Sequence, residues 1–178
     1  MISWLINRAS FFLQGVKWPN QIKLRGVVFL RNRGCISIGE GVKINSGLRK
    51  NPTSGLNKTV LVAYKESKIN IGDNVGISNA IIVSKKSIKI GARALIGCGV
   101  KIWDTDFHSL SPEVRNSGDY DVKSAAVEIG EDVFIGANSI ILKGVTVADK
   151  AVIAAGSVVV KNIGYKEVWG GNPAKKIR

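Results

Sequence analysis

Residues 127–159 run VEIGEDVFIGANSIILKGVTVADKAVIAAGSVV, and an aliphatic side chain falls on every sixth position: Ile129, Ile135, Ile141, Val147, Ile153 and Val159. A period of six fits neither the 3.6 of an α-helix nor the 2 of a simple strand. It is the signature of a chain wound as a solenoid, one short strand and one corner per unit. Within a unit the aliphatic residue and the residue two places before it point inward, because side chains alternate along a strand. Gly, Asp or Asn follows at the corner, where the backbone turns. Three units close a triangular turn of about 18 residues. One coil cannot bury its own apolar face, so coils stack and the interior becomes a column of Ile and Val.

The same phrase recurs upstream as Ile36-Ser37-Ile38-Gly39, Ile69-Asn70-Ile71-Gly72 and Ile88-Lys89-Ile90-Gly91. Two stretches break the period. Residues 46–58 (SGLRKNPTSGLNK) are rich in Gly, Pro, Asn and Lys and read as a loop thrown out from a corner. Residues 104–126 interrupt a run in register at Ile90, Ile96 and Ile102. The expected organisation is an N-terminal amphipathic helix and basic connector over 1–33, an all-β solenoid over 34–168 with excursions at 46–58 and 104–126, and a tail over 169–178. Insertions in solenoids tend to lie on one face and to carry function.

A length of 178 residues suits one domain with short appendages. The two cysteines, Cys35 and Cys98, form neither a metal spacing nor a disulfide framework, which points to a reduced, cytoplasmic compartment. No apolar run reaches the roughly 18 residues of a membrane span.

At the N-terminus Ile2, Leu5, Ile6, Ala9, Phe12, Leu13 and Val16 fall at helical spacing, and Pro19 ends the pattern. Arg8 interrupts the apolar stretch and no small-residue cleavage site follows, so a signal peptide fits poorly. Two readings remain open. The helix packs its apolar face on the end of the solenoid and protects an open edge. Alternatively it lies on a membrane, with Trp4 and Trp18 as interfacial anchors. Charge bears on the choice: residues 1–65 carry eleven Lys or Arg against one acid, Glu40, out of a total net charge of +13. Such an end attracts anionic lipid head groups or a phosphorylated substrate. No nucleic-acid motif or base-stacking pattern accompanies it, so no nucleic-acid partner is expected.

The phrase Ile102-Trp103-Asp104-Thr105-Asp106-Phe107-His108 begins as a strand and leaves the coil at Asp104. It sets the single histidine and two carboxylates at the mouth of the second excursion. Imidazole takes and returns a proton near neutral pH, which suits it to general-base work. A nearby carboxylate can fix its tautomer, and Asp106 or Asp104 could fill that role. If the chain stays extended, Asp106 and His108 lie on one side.

The repeat, the DTDFH phrase and the ending Gly170-Gly171-Asn172-Pro173-Ala174-Lys175-Lys176-Ile177-Arg178 together resemble the hexapeptide-repeat acyltransferases. Within them residues 34–178 are most similar to sugar O-acetyltransferases of surface-polysaccharide clusters. Residues 1–33 do not resemble the small helical domain of the maltose and galactoside enzymes.

The resemblance implies a left-handed parallel β-helix, an exception to the usual right-handed crossover. It also implies a homotrimer with active sites between neighbouring chains, acetyl-CoA as co-substrate, and a saccharide acceptor in capsule, lipopolysaccharide or exopolysaccharide synthesis. It makes His108 the general base for direct attack of a sugar hydroxyl on the thioester. The N–H of Ala137 would meet the oxyanion, Ala155 would leave room for the cofactor, and Val160, Lys161 and Arg178 match cofactor positions. Basic Lys161 and Arg178 suit the phosphates of CoA on physical grounds as well. A catalytic zinc, as in the γ-class carbonic anhydrases of similar fold, needs about three protein ligands; one histidine and no His/Cys cluster argue against a metal. N-acetylation of a nucleotide-linked amino sugar and a non-catalytic scaffold remain as alternatives.

Overall fold

The computed structural model describes residues 2–54 and 58–178. Strands stack into three parallel sheets that form the faces of a prism, visited in rotation by the chain. The first face runs from Lys23–Arg25 through Lys43–Asn45, Gly76–Ser78, Leu95–Ile96 and Phe134–Ile135 to Val152–Ile153. The second runs from Phe29–Asn32 through Val60–Ala63, Ile81–Ser84, Lys101–Trp103 and Ile140–Ile141 to Val158–Val159. The third runs from Cys35–Ile38 through Lys68–Ile71, Ser87–Ile90 and Val127–Ile129 to Thr146–Val147.

The register bears out the six-residue period. Ile129 pairs with Val147, Ile135 with Ile153 and Ile141 with Val159, each one turn of the coil apart. All six are buried, and they continue upward and downward as one aliphatic column. Corners turn through left-handed backbone: Gly41, Asn74, Arg93, Asp132 and Lys150 line the edge between the third and first faces, all with positive φ. Gly, Asn and Asp tolerate that conformation best, so the corners at Gly41, Asn74 and Asp132 were legible in the sequence, whereas Arg93 and Lys150 adopt it without that preference.

The solenoid starts earlier than position 34. Lys23–Arg25 pairs with Lys43–Asn45 and Phe29–Asn32 with Val60–Ala63, so the basic connector is the first coil. Leu24 and Leu30, six residues apart, point into the core of that coil, with Ile22 and Val28 packed two places before them, so the hexad itself extends into the connector. At the other end Val168–Gly171 pairs with Val152–Ile153 and turns back antiparallel onto Ala174–Lys176. The tail is thus a hairpin that closes the last coil.

The N-terminal helix, Ile2–Leu13, lies across the open end of the first coil. Asn7 is fully buried there and substitutes for a missing strand: its Nδ2 donates to the Gly26 carbonyl at 2.9 Å and its Oδ1 accepts from the Val28 N–H at 3.1 Å. Gln14 accepts twice from Asn32: its Oε1 from the Asn32 N–H at 2.8 Å and its carbonyl from Asn32 Nδ2 at 3.0 Å. Phe11 packs edge-on to Trp18, with ring centroids 5.0 Å apart. The helix caps the solenoid, but not with the face its spacing suggests. Ile2, Leu5, Ile6, Phe12 and Leu13 all point outward, because the open edge needs hydrogen-bond partners and Asn7 sits on the opposite side of the helix.

The two excursions leave from different edges. The first, whose residues 55–57 lie outside the described residues, leaves between the first and second faces, and the second between the second and third.

Candidate active site

The chain departs from the coil after Lys101–Trp103 and returns at Val127–Ile129, and its two limbs are tied together. Thr105 and Ser124 form an antiparallel bridge, Asp106 N–H donates to the Lys123 carbonyl at 3.1 Å, and Ala125 N–H donates to the Asp104 carbonyl at 2.9 Å. The tip holds one short helix, Pro112–Asn116. Ser111 caps it, Pro112 opens it, and Arg115 donates back to the carbonyls of Ser109 and Leu110. The Asp119 N–H donates to the Val114 carbonyl at 2.8 Å, and this places Asp119 beneath the start of the loop.

His108 therefore meets a carboxylate that its local sequence does not supply. Its Nδ1 lies 2.5 Å from Asp119 Oδ2. The other oxygen of Asp119 accepts from the Ser109 N–H at 2.6 Å. That N–H, and then His108, hold the Asp119 carboxyl below the usual carboxylate range. An ionised carboxylate only accepts, so Nδ1 carries the proton and the lone pair resides on Nε2. The imidazole remains largely exposed and its Nε2 is available to an acceptor.

Neither Asp104 nor Asp106 orients His108. Asp104 is completely buried and clamps the coil below: Ser84 Oγ, Lys85 N–H and Lys86 N–H all donate to it at 2.7–2.8 Å. Asp106 pairs with Lys143 at 2.7 Å. The expected side-by-side placement of Asp106 and His108 survives, but not through an extended chain. Phe107 between them has a φ of +64° and packs edge-on to Trp103. Asp106 and His108 still line one cavity of about 140 Å³, together with Ser109, Leu110, Ser111, Asp121 and Lys123. Its walls combine the His108 imidazole, two serine hydroxyls, two carboxylates and one ammonium with the apolar side chain of Leu110, so it offers hydrogen-bond partners for a hydroxyl beside an apolar surface.

The remaining expected positions occupy two edges of the prism. Ala137 and Ala155 follow Phe134–Ile135 and Val152–Ile153, at the edge between the first and second faces, and stack one coil apart. The Gly156 N–H donates to the Ala137 carbonyl at 2.8 Å. A Cβ on Gly136 would come within 2.5 Å of the Ala155 nitrogen, so this corner admits only glycine there. The Ala137 N–H has no acceptor among the described residues. Val160 and Lys161 follow Val158–Val159 at the edge of the His108 loop. They are solvent-exposed, and so is Arg178, whose carbonyl accepts from the Val168 N–H. Within one chain, then, His108 and the Ala137–Ala155 corner sit on different edges, with the second face between them.

Among the described residues no cluster of His, Cys, Asp and Glu could hold a metal ion, and no helix is long and apolar enough to cross a membrane.

Comparison with known proteins places this architecture. A family model described as the hexapeptide repeat of succinyl-transferase matches residues 126–161. The putative lipopolysaccharide biosynthesis O-acetyl transferase WbbJ of Escherichia coli is 30% identical over 167 residues, covering 87% of this chain and 77% of that protein. The chain belongs to the hexapeptide-repeat acyltransferase family. Its three-sided coil is accordingly the left-handed parallel β-helix of that family. The galactoside O-acetyltransferase of Escherichia coli is 37% identical over 113 residues, 63% of this chain; the chain spans only about half of that relative, 54% of its length. Among solved structures, a hexapeptide-repeat acetyltransferase from Vibrio cholerae, complexed with acetyl coenzyme A, shares the fold with a TM-score of 0.59 at 22% identity, covering 96% of this chain and 74% of that one.

Proposed function

We propose that this protein transfers an acetyl group from acetyl-CoA to a hydroxyl of a saccharide destined for a surface polysaccharide. The observation that carries the reading is the imidazole of His108, held by Asp119 through Nδ1 and open at Nε2 beside a cavity of hydroxyls and carboxylates. The names of the relatives, a putative lipopolysaccharide biosynthesis O-acetyl transferase and a galactoside O-acetyltransferase, support the acetyl group transferred and the acceptor class.

In the proposed step Nε2 removes the proton of the acceptor hydroxyl as its oxygen bonds to the thioester carbonyl carbon. Asp119 stabilises the imidazolium that forms. The Ala137 N–H, lacking an acceptor of its own, receives the oxyanion, a contact worth roughly 3–4 kcal/mol in a preorganised site. The carbon–sulfur bond then breaks, and the imidazolium returns its proton to the CoA thiolate. Lys161 and Arg178 hold phosphates of the cofactor. Val160 and Ala155 leave its path unobstructed.

Because His108 and the Ala137–Ala155 corner occupy different edges of one prism, the complete site forms between chains. The His108 loop of one copy meets the corner of the next, and a cyclic trimer repeats that contact three times. Acetyl-CoA as donor fits a cytoplasmic location.

The deciding experiment measures acetyl-CoA binding and acetyl transfer by the wild-type chain and by His108→Ala, with a panel of sugars and amino sugars. Binding by both, with transfer to hydroxyl acceptors lost in the variant, is the expected result. Full transfer by His108→Ala overturns the mechanism. Transfer to amines alone replaces the acceptor class, and no binding by either chain returns the solenoid to a scaffold.

A further inference from the structure

The N-terminal helix is amphipathic in the wrong sense for a simple cap. At 3.6 residues per turn Ile2, Leu5, Ile6, Ala9, Phe12 and Leu13 share an arc of about 120°. That arc faces away from the solenoid: Phe12 is 85% exposed, Leu13 78%, Ile2 76% and Leu5 56%. Asn7 and Phe11, the residues that dock the helix, lie on the other side. A monomeric protein seldom leaves a contiguous apolar strip of this kind without an occupant.

The surroundings of the strip identify the occupant. A surface cavity of about 470 Å³ opens between the helix and residues 16–18, with Phe11, Phe12, Val16 and Trp18 as its walls and Arg8 and Lys17 at its rim. Arg8 lies over the rings of Trp4 and Trp18, at 5.0 and 5.5 Å, so an aromatic pair and a cation share one edge of the strip. On the adjoining coils Lys23, Arg25 and Lys43 line a second cavity, of about 220 Å³, with Asn45 and no acid. None of these five cations makes an ion pair among the described residues. Residues 1–65 contain a single acid, Glu40.

We propose that the capped end of the solenoid docks on an anionic lipid bilayer, the outer strip of the helix entering the interface and the cations meeting the head groups. Apolar side chains, interfacial tryptophans and a surrounding positive field are the combination such a surface selects. A second copy of the chain fits less well, because pairing strip to strip would bring two strongly basic ends together. Docking holds an acetyltransferase beside a lipid-linked acceptor; the inference itself rests on the helix and not on the reaction.

Sedimentation of the full chain with vesicles tests it. One set is phosphatidylcholine with about one-third phosphatidylglycerol, the other phosphatidylcholine alone. The wild type is expected to sediment with the anionic set only. Phe12→Asp with Leu13→Asp should lower that partitioning about tenfold or more, and Arg8→Ala with Lys17→Ala should also weaken it, both with an unchanged melting temperature. No sedimentation of the wild type, equal binding to neutral vesicles, or wild-type binding by the Phe12/Leu13 variant overturns the proposal. A Phe12/Leu13 variant that changes oligomer size, where the wild type ignores vesicles, assigns the strip to a second copy. Acetyl transfer to a soluble acceptor is read separately, so failure of docking and failure of the enzymatic reading are distinguishable.

Discussion

Asp119 stands eleven residues beyond His108 and yet lies 2.5 Å from its Nδ1, closer than either acid of the DTDFH phrase. The contact depends on the short helix Pro112–Asn116, which turns the chain back, and on the positive φ of Asp119, +58°, which aims its carboxylate at the ring. We therefore expect Asp119→Asn to keep the loop's shape while losing control of the imidazole tautomer. The turnover number should fall about 100-fold or more, with KM for both substrates and the affinity for acetyl-CoA nearly unchanged. Steady-state kinetics beside a binding isotherm would check this. A change confined to KM would mean that Asp119 contacts the acceptor instead.

Asp104 has the opposite signature. Its buried carboxylate satisfies two backbone N–H groups and one hydroxyl of the neighbouring coil. Asp104→Ala should destabilise the fold by about 2–4 kcal/mol, since three donors lose a charged acceptor at once. Denaturant or thermal unfolding measures that loss. The variant should retain most of its activity at temperatures where it remains folded.

If the site is shared between copies, two inactive chains can repair one another. His108→Ala lacks the base, and Ala155→Trp blocks the corner. Each alone should be inactive as an acetyltransferase. Random co-assembly of equal amounts into trimers leaves about one site in four with both halves native. Recovery of about a quarter of wild-type activity on co-expression is the expected result, and no recovery would place the whole site within one chain.

The terminal hairpin carries a pH dependence of defined sign. Glu167 accepts from Lys176, from the Trp169 indole and from the Gly164 N–H, in that order of effect, and its carboxyl is held down at about 2 against an ordinary 4.5. A depressed carboxyl stabilises the fold fully above its unfolded pKa and loses that contribution as pH falls through the folded one. The hairpin should hold above about pH 4.5 and loosen toward about pH 2. Trp169 indole N–H exchange followed by NMR reports the transition, and Glu167→Gln should remove it.

The aliphatic hexad determined the solenoid by itself, because a core position repeated every sixth residue leaves the chain one economical way to bury it. Ile129 over Val147 and Ile141 over Val159 follow from counting alone. His108 was equally legible as the candidate imidazole, since no other histidine competes. The N-terminal helix was legible as a helix, but its orientation was not. Spacing reports which residues share a face, whereas the unpaired edge of the first coil selected Asn7 over the apolar strip. The partner of His108 was also hidden. Asp104 and Asp106 are nearer in sequence, but coil-to-coil stacking draws the first to Lys85 and Lys86 and the second to Lys143. Periodic burial is a local property of sequence and can be read from it. The choice among several acids for one imidazole, and among faces of one helix for one open edge, is a competition between distant groups that only the packed chain decides.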